Sequence, residues 1–139
     1  MAKNNSRDQK GAAIRFKNKF ANAFRGLAIA FKEETTLLLY LIITIAAVAV
    51  GIFLTTGGFF TTIHWAILTL TIGVVVGFEL INTAIENFVD LLSFEYNIKA
   101  KKIKDICAAA SVLNSIAAFL VGCFLFIEPI LEQINVWIQ

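Results

Sequence analysis

Three carboxylates and one amide fall in line inside a stretch that is otherwise apolar enough to lie in hydrocarbon. They are Glu79, Asn82, Glu86 and Asp90, in the run Thr71-Ile-Gly-Val-Val-Val-Gly-Phe-Glu79-Leu-Ile-Asn82-Thr-Ala-Ile-Glu86-Asn-Phe-Val-Asp90. On a helix, with Glu79 at zero, they point to about 0°, −60°, −20° and +20°, one narrow polar stripe. Carboxylates in a bilayer are costly unless they face a bundle interior, a partner or a metal. Such a stripe can supply a general base, a ligand for a divalent cation, a step in a proton path, or polar glue between helices.

The acidic groups lie at two levels. At ~1.5 Å per residue, Glu79 sits about 10 Å along the helix axis from Glu86. Glu86 is shallow enough to meet a water-soluble ligand, and Glu79 deep enough to meet a lipid head group. Glu33 and Glu34 stand at the shallow level, where a basic segment meets the first long apolar run. One of them could share Mg²⁺ with Glu86, since magnesium takes one or two carboxylates together with waters and substrate phosphates. Lys104-Asp105 opens another apolar run at the same height. Lys99, Lys101, Lys102 and Lys104, with Arg15, Lys17, Lys19 and Arg25, form a cationic rim. That rim suits a polyphosphate and equally suits anionic lipid head groups. No P-loop, dinucleotide-binding or protein-kinase motif is present.

The elements that must hold these residues are long apolar helices. The chain has 139 residues, is 58% hydrophobic and has a mean hydropathy of +0.78, against roughly 45–50% apolar residues in a soluble domain. Three runs approach the ~20 residues that a spanning helix needs, at about 35–54, 63–92 and 106–127. The fold class expected is an all-α membrane protein, with residues 12–139 as one domain. Paired glycines, Gly57-Gly58, mark a turn between the first two spans. Residues 12–33 place Ile14, Phe16, Phe20, Phe24, Leu27 and Phe31 at spacings of mostly three and four among cations, which predicts an amphipathic helix on a membrane surface. Residues 1–11 are expected to be a disordered tail. The first apolar run starts too late and is too long for a cleavable signal.

Eight of the twelve Lys and Arg precede the first span, and the other four fall between the second and third. The positive-inside rule then puts the N-terminus and the 93–105 segment in the cytoplasm, and the 55–62 loop and the C-terminus outside. Cys107 and Cys123 have no CxxC spacing and no neighbouring His, so both are expected as small buried hydrophobes. His64 stands alone and is expected to cap or snorkel. Gly73 and Gly77 form a GxxxG that permits close helix approach. No nucleic-acid partner is expected.

The string from Glu79 to Asp90 resembles the signature of the prokaryotic diacylglycerol kinase and undecaprenol kinase family, E-L/I-L/I-N-S/T-A-I-E-x-x-V/I-D. Glu95-Tyr96 and Lys104-Asp105 stand at the family's E-Y and K-D. Phe24-Arg25-Gly26 and Ala30-Phe31-x-x-Glu34 match its surface helix. The resemblance covers roughly residues 12–127. It implies a small integral-membrane lipid kinase of the bacterial inner membrane, a homotrimer with composite active sites, moving the γ-phosphoryl group of MgATP to a lipid hydroxyl. It implies Glu79 as the general base toward the lipid and Glu34 and Glu86 as Mg²⁺ ligands. Contacts to ATP are implied for Arg15, Asn22, Glu34, Glu86, Glu95, Tyr96, Asn97, Lys104 and Asp105, with Asn82 and Asp90 organising the site. The substrate expected is diacylglycerol, giving phosphatidic acid, with undecaprenol as the alternative. Two departures stand out: Thr35-Thr36-Leu37-Leu38 replaces a polar stretch, and Cys107 and Ser111 fall in a run where the family prefers Ala or Gly, a change expected to alter packing only.

Outside this class, aligned carboxylates would also suit a small proton or ion channel or an accessory membrane subunit. The uncharged first half of the second span argues against a polar relay across the membrane.

Overall fold

The computed structural model describes residues 2–92 and 97–138, the side chains of 2–13 apart. Four helices account for nearly all of them: α1 (Ala2–Glu33), α2 (Thr35–Thr56), α3 (Thr62–Leu92) and α4 (Ile98–Ile138). Three of these, α2, α3 and α4, are long and apolar enough to cross a membrane. At 1.5 Å per residue, α2 is about 33 Å long, close to the ~30 Å of a bilayer's hydrocarbon, whereas α3 and α4 extend to roughly 46 and 60 Å.

Residues up to Thr35 form one compact unit and those from Thr36 onward another. In the first, α1 continues back through residues 2–11, the stretch expected as a disordered tail. No proline interrupts it. Phe16, Phe20 and Phe24 recur at every fourth position and are exposed, and the Phe16 and Phe20 rings meet with centroids 4.8 Å apart. The helix breaks at Glu34, whose N–H still donates to the Ala30 carbonyl at 2.9 Å.

In the second unit, α3 and α4 pack backbone against backbone, while α2 reaches them through side chains. The pair is antiparallel: Leu68 clusters with Leu125, Glu79 meets Ser111, and Asp90 meets Lys104. The chain enters this pair through a well-specified turn. Phe59 N–H donates to Leu54 O and Gly58 N–H to Thr55 O, each at 3.1 Å. These two bonds close α2 in a Schellman motif, which needs the left-handed conformation that Gly58 adopts at φ 83°. Thr61 then caps α3. Its N–H and hydroxyl both lie within reach of His64 Nδ1, at 3.1 and 2.8 Å, so His64 occupies the place a Glu takes in a capping box. The capping role expected for His64 holds.

The core of this unit sits beside that turn. Leu54, Phe60, Leu68 and Leu125 are buried together, with Ala47, Trp65, Ile72 and Phe126 against them. Phe60 stacks on Phe126 at 5.2 Å and meets Trp65 edge-on at 5.3 Å. Trp65 Nε1–H donates to Thr55 Oγ1 at 3.1 Å, which satisfies the indole within the apolar cluster.

The third span is longer than its apolar run. Sequence placed it at 106–127; α4 begins at Ile98 and ends at Ile138. Asn97 explains the early start, because its side-chain oxygen accepts from the Lys99 N–H at 2.9 Å and its carbonyl from the Lys101 N–H at 3.0 Å, an N-cap. The following lysines and alanines are good helix formers. At the far end Pro129 lies buried inside the helix, where it removes one N–H from the ladder without ending it.

Candidate functional site

The face of α3 that carries the acidic stripe lies against α4. Glu79 is buried, with 6% of its surface accessible, and Ser111 on α4 is buried to the same degree at 5%. The Ser111 hydroxyl donates to Glu79 Oε2. One helical turn further on, Thr83 donates to the Glu79 carbonyl at 3.0 Å, which keeps that hydroxyl off the carboxylate. Asn82 Nδ2 donates to Glu86 Oε1 at 3.0 Å and holds that carboxylate on the same helix face. At the shallow end Lys104 Nζ bridges both oxygens of Asp90, at 2.9 and 3.0 Å. The three carboxylates therefore take three different partners along α3: a hydroxyl at Glu79, an amide at Glu86 and an ammonium at Asp90.

A second polar file joins it from α4. Ser115 donates to the Ser111 carbonyl at 3.0 Å, and Tyr40 of α2 lies 2.7 Å from Ser115 Oγ. A serine has one hydroxyl proton. With that proton on the Ser111 carbonyl, Tyr40 donates to Ser115. Hydrogen bonds at Ser111 and Ser115 thus tie α4 to Glu79 on α3 and to Tyr40 on α2. Two buried atoms beside it, Asn82 Oδ1 and Asn114 Nδ2, have no partner among the described residues. Leaving such groups unpaired costs about 1–3 kcal/mol each.

Above the Tyr40–Ser115 contact, an apolar cavity of about 620 Å³ separates α2 from the α3–α4 pair, lined by Ile43, Ala47, Ile72, Val76 and Phe119 among others. No carboxylate occurs in the first half of α3, and the cluster around Phe60 closes the far end. The carboxylates of α3 are thus confined to its second half, which counts against an acidic relay along its whole length.

The residues expected to act fall into three groups. Glu79, Asn82, Glu86, Asp90 and Lys104 come together along the α3–α4 seam. Asp105 is exposed one residue beyond Lys104, and Asn97 is engaged as the α4 cap. Lys104 was expected to meet phosphate; its ammonium is already partnered by Asp90. Arg15 and Asn22 are exposed on α1, and Glu34 is half-buried at the end of its unit. Glu95 and Tyr96 lie outside the described residues. Sequence reasoning missed Ser111, Ser115 and Tyr40. The signal was present: Ser111, Asn114 and Ser115 are spaced i, i+3, i+4 on an otherwise apolar helix, a second polar stripe facing the first. Cys107 and Cys123 are free thiols, and both are half-buried where full burial was expected.

Among the described residues, no three His, Cys, Asp or Glu side chains gather to cage a metal. One half-buried carboxylate, Glu86, oriented by an amide, fits an ion that arrives already bound to phosphates, as magnesium does with a nucleotide.

Most of the chain's length is similar to known proteins. Residues 21–126 match the family described as prokaryotic diacylglycerol kinase. The chain is 28% identical over 125 residues to undecaprenol kinase of Bacillus subtilis, spanning 90% of this chain and 98% of that protein. It is 34% identical over 114 residues to a diacylglycerol kinase of Synechocystis, spanning 81% of this chain and 63% of that longer protein. No solved structure matches.

Proposed function

Because this chain belongs to the prokaryotic diacylglycerol kinase family and is a bacterial membrane lipid kinase that uses ATP, we propose that its α3–α4 seam phosphorylates the primary hydroxyl of diacylglycerol, with Glu79 as base and Glu86 as the magnesium ligand. The observation that carries this reading is the pairing of one buried carboxylate with one shallow carboxylate on a single helix face. Glu79 Oε1 takes the proton from the lipid hydroxyl. The freed oxygen forms a bond to the γ-phosphorus of ATP, the bond from that phosphorus to the β–γ bridging oxygen breaks, and ADP leaves with the electron pair. Positioning and charge neutralisation do most of the work in such a transfer. Glu86 and Glu34 would hold Mg²⁺, which would neutralise the charge on the nucleotide's phosphates. Asp90 holds the Lys104 ammonium for the nucleotide; Arg15, Asn22, Asn97 and Asp105, with Glu95 and Tyr96 outside the described residues, are the further nucleotide contacts that the family resemblance implies. The apolar cavity beyond Tyr40 receives a hydrocarbon tail.

The basic N-terminal segment and the Lys99–Lys104 segment face the cytoplasm, with the 57–61 turn and the C-terminus outside; the charge distribution supports this orientation. The aromatic stripe of α1 lies on the inner leaflet, supported by the exposure of Phe16, Phe20 and Phe24 beside lysines. The active assembly is a homotrimer. A Cβ at Gly73 or Gly77 would meet nothing within the protomer, and this small-residue face lies about 120–160° from Glu79 around α3, free to receive another helix.

Higher identity to the cyanobacterial relative favours diacylglycerol. The end-to-end match to the Bacillus protein favours undecaprenol as a second reading. A micelle assay with labelled ATP and both alcohols side by side, with and without magnesium, tests the proposal. Magnesium-dependent label in phosphatidic acid is expected. Label in undecaprenyl phosphate alone selects the second reading, and label in neither overturns both.

A further inference from the structure

We propose that Ser111 is a positioning residue for the Glu79 carboxylate, a role that rests on Glu79 being the base of the transfer. A run of small residues on α4 would pack against α3 equally well as alanines. This chain instead carries a hydroxyl where it reaches Glu79 Oε2. Among the described residues, nothing else donates to that carboxylate.

The terminal torsion of a glutamate is broad, whereas a general base must hold one oxygen within about 2.6–3.2 Å of the proton it takes. A donor fixed on Oε2 removes that freedom and leaves Oε1 for the substrate. Ser111 is itself held in place. Its side chain is buried, and its carbonyl accepts from Ser115, which Tyr40 engages from α2. The donor is therefore anchored to a third helix that is independent of α3. In a buried site, a hydrogen bond to a charged acceptor is stronger than one between neutral groups. Ser111 also supplies a dipole toward the negative charge before reaction, with no contact of its own to the lipid or the nucleotide.

The test uses two variants of nearly equal shape. Threonine keeps the hydroxyl and valine replaces it with a methyl group, so a difference between them reports the hydroxyl and not the volume. Full-length Ser111→Val and Ser111→Thr proteins are purified in detergent, their fold is checked by an MgATP-dependent thermal shift, and kcat and KM for MgATP are measured. The expected result is a kcat lowered about 10-fold or more in Ser111→Val, with KM for MgATP within about twofold of the parent and Ser111→Thr within about threefold in both constants. Ser111→Ala, a smaller side chain that the helix accommodates, serves in place of the valine variant should that one fail to fold, with the same kcat loss expected.

Equal kcat in the threonine and valine variants, whether both high or both low, would overturn the inference, because the hydroxyl would then make no difference. A Glu79→Gln control separates the two levels of the proposal. An active Glu79→Gln protein refutes Glu79 as base. An inactive one beside a fully active Ser111→Val protein refutes only the role of Ser111.

Discussion

The two ends of the α2–α4 unit solve opposite problems. Beside the 57–61 turn, the hydroxyls of Thr55, Thr56 and Thr61, the imidazole of His64 and the indole of Trp65 are hydrogen-bonded, and the side chains pack closely. Trp65 is bonded to Thr55, His64 to Thr61, and Gly57 is so close to Gln133 that an added Cβ would fall 2.0 Å from its amide oxygen. At the other end, three carboxylates lie along one helix face, and a buried amide oxygen and a buried amide nitrogen lack partners among the described residues; the cavity of about 620 Å³ lies between the two ends, lined mostly by apolar residues, from Tyr40 and Ser115 to Leu68 and Leu125. The first end is closely packed, and the second holds buried polar atoms that the described residues leave unpaired, the arrangement expected if the proposed chemistry falls at the second.

Substitutions at the two ends should therefore separate activity from stability. The largest effect is expected from Glu79→Gln. Loss of the base should lower turnover by roughly 10²–10⁴-fold, measured as initial rate at saturating ATP and lipid, with the thermal midpoint little changed. Normal turnover in this variant would place the base elsewhere.

Gly51→Ala should act in the reverse sense. A Cβ there would stand 3.1 Å from the Trp65 ring and 3.3 Å from Phe60, and overpacking of this kind costs about 1–3 kcal/mol. A lower denaturation midpoint in detergent with an unchanged KM is expected. A raised KM with normal stability would mean that the two ends are coupled.

The smallest effect on stability is expected from Lys104→Met. Its pair with Asp90 is partly open to water, with side-chain accessibilities of 35% and 64%, and exposed pairs of this kind contribute about 0–1 kcal/mol. A large fall in MgATP affinity without a matching fall in stability would sharpen the comparison, because it would give Lys104 a part in binding beyond its pairing. A large stability loss would instead make the pair structural.

Much of this division was legible in the sequence. The apolar runs fixed the three spans because hydrocarbon admits few alternatives to a helix, and the spacing of Glu79, Asn82, Glu86 and Asp90 placed them on one face before any neighbour was known. Gly57-Gly58 announced the turn. Less visible was what the stripe faces. Ser111 stands in a run of alanines and reads as packing until α4 is set antiparallel to α3, which brings it level with Glu79. Tyr40 was hidden for a related reason: its partner lies 75 residues away on another helix, and only the packing of α2 near α4 reveals it. The length of α4 was also underestimated, since lysines 99–104 look like loop by charge, whereas the Asn97 cap makes them helix.

The central claim is that two acidic groups on one helix face serve different substrates, the shallow one the nucleotide and the buried one the lipid. MgATP titrations followed by thermal shift, on Glu79→Gln and Glu86→Gln side by side in lipid–detergent micelles, test it most directly. Glu79→Gln should bind MgATP as the parent does, while Glu86→Gln should bind it about 10-fold more weakly or worse. Equal affinities in the two variants, or a loss confined to Glu79→Gln, would contradict the division of labour.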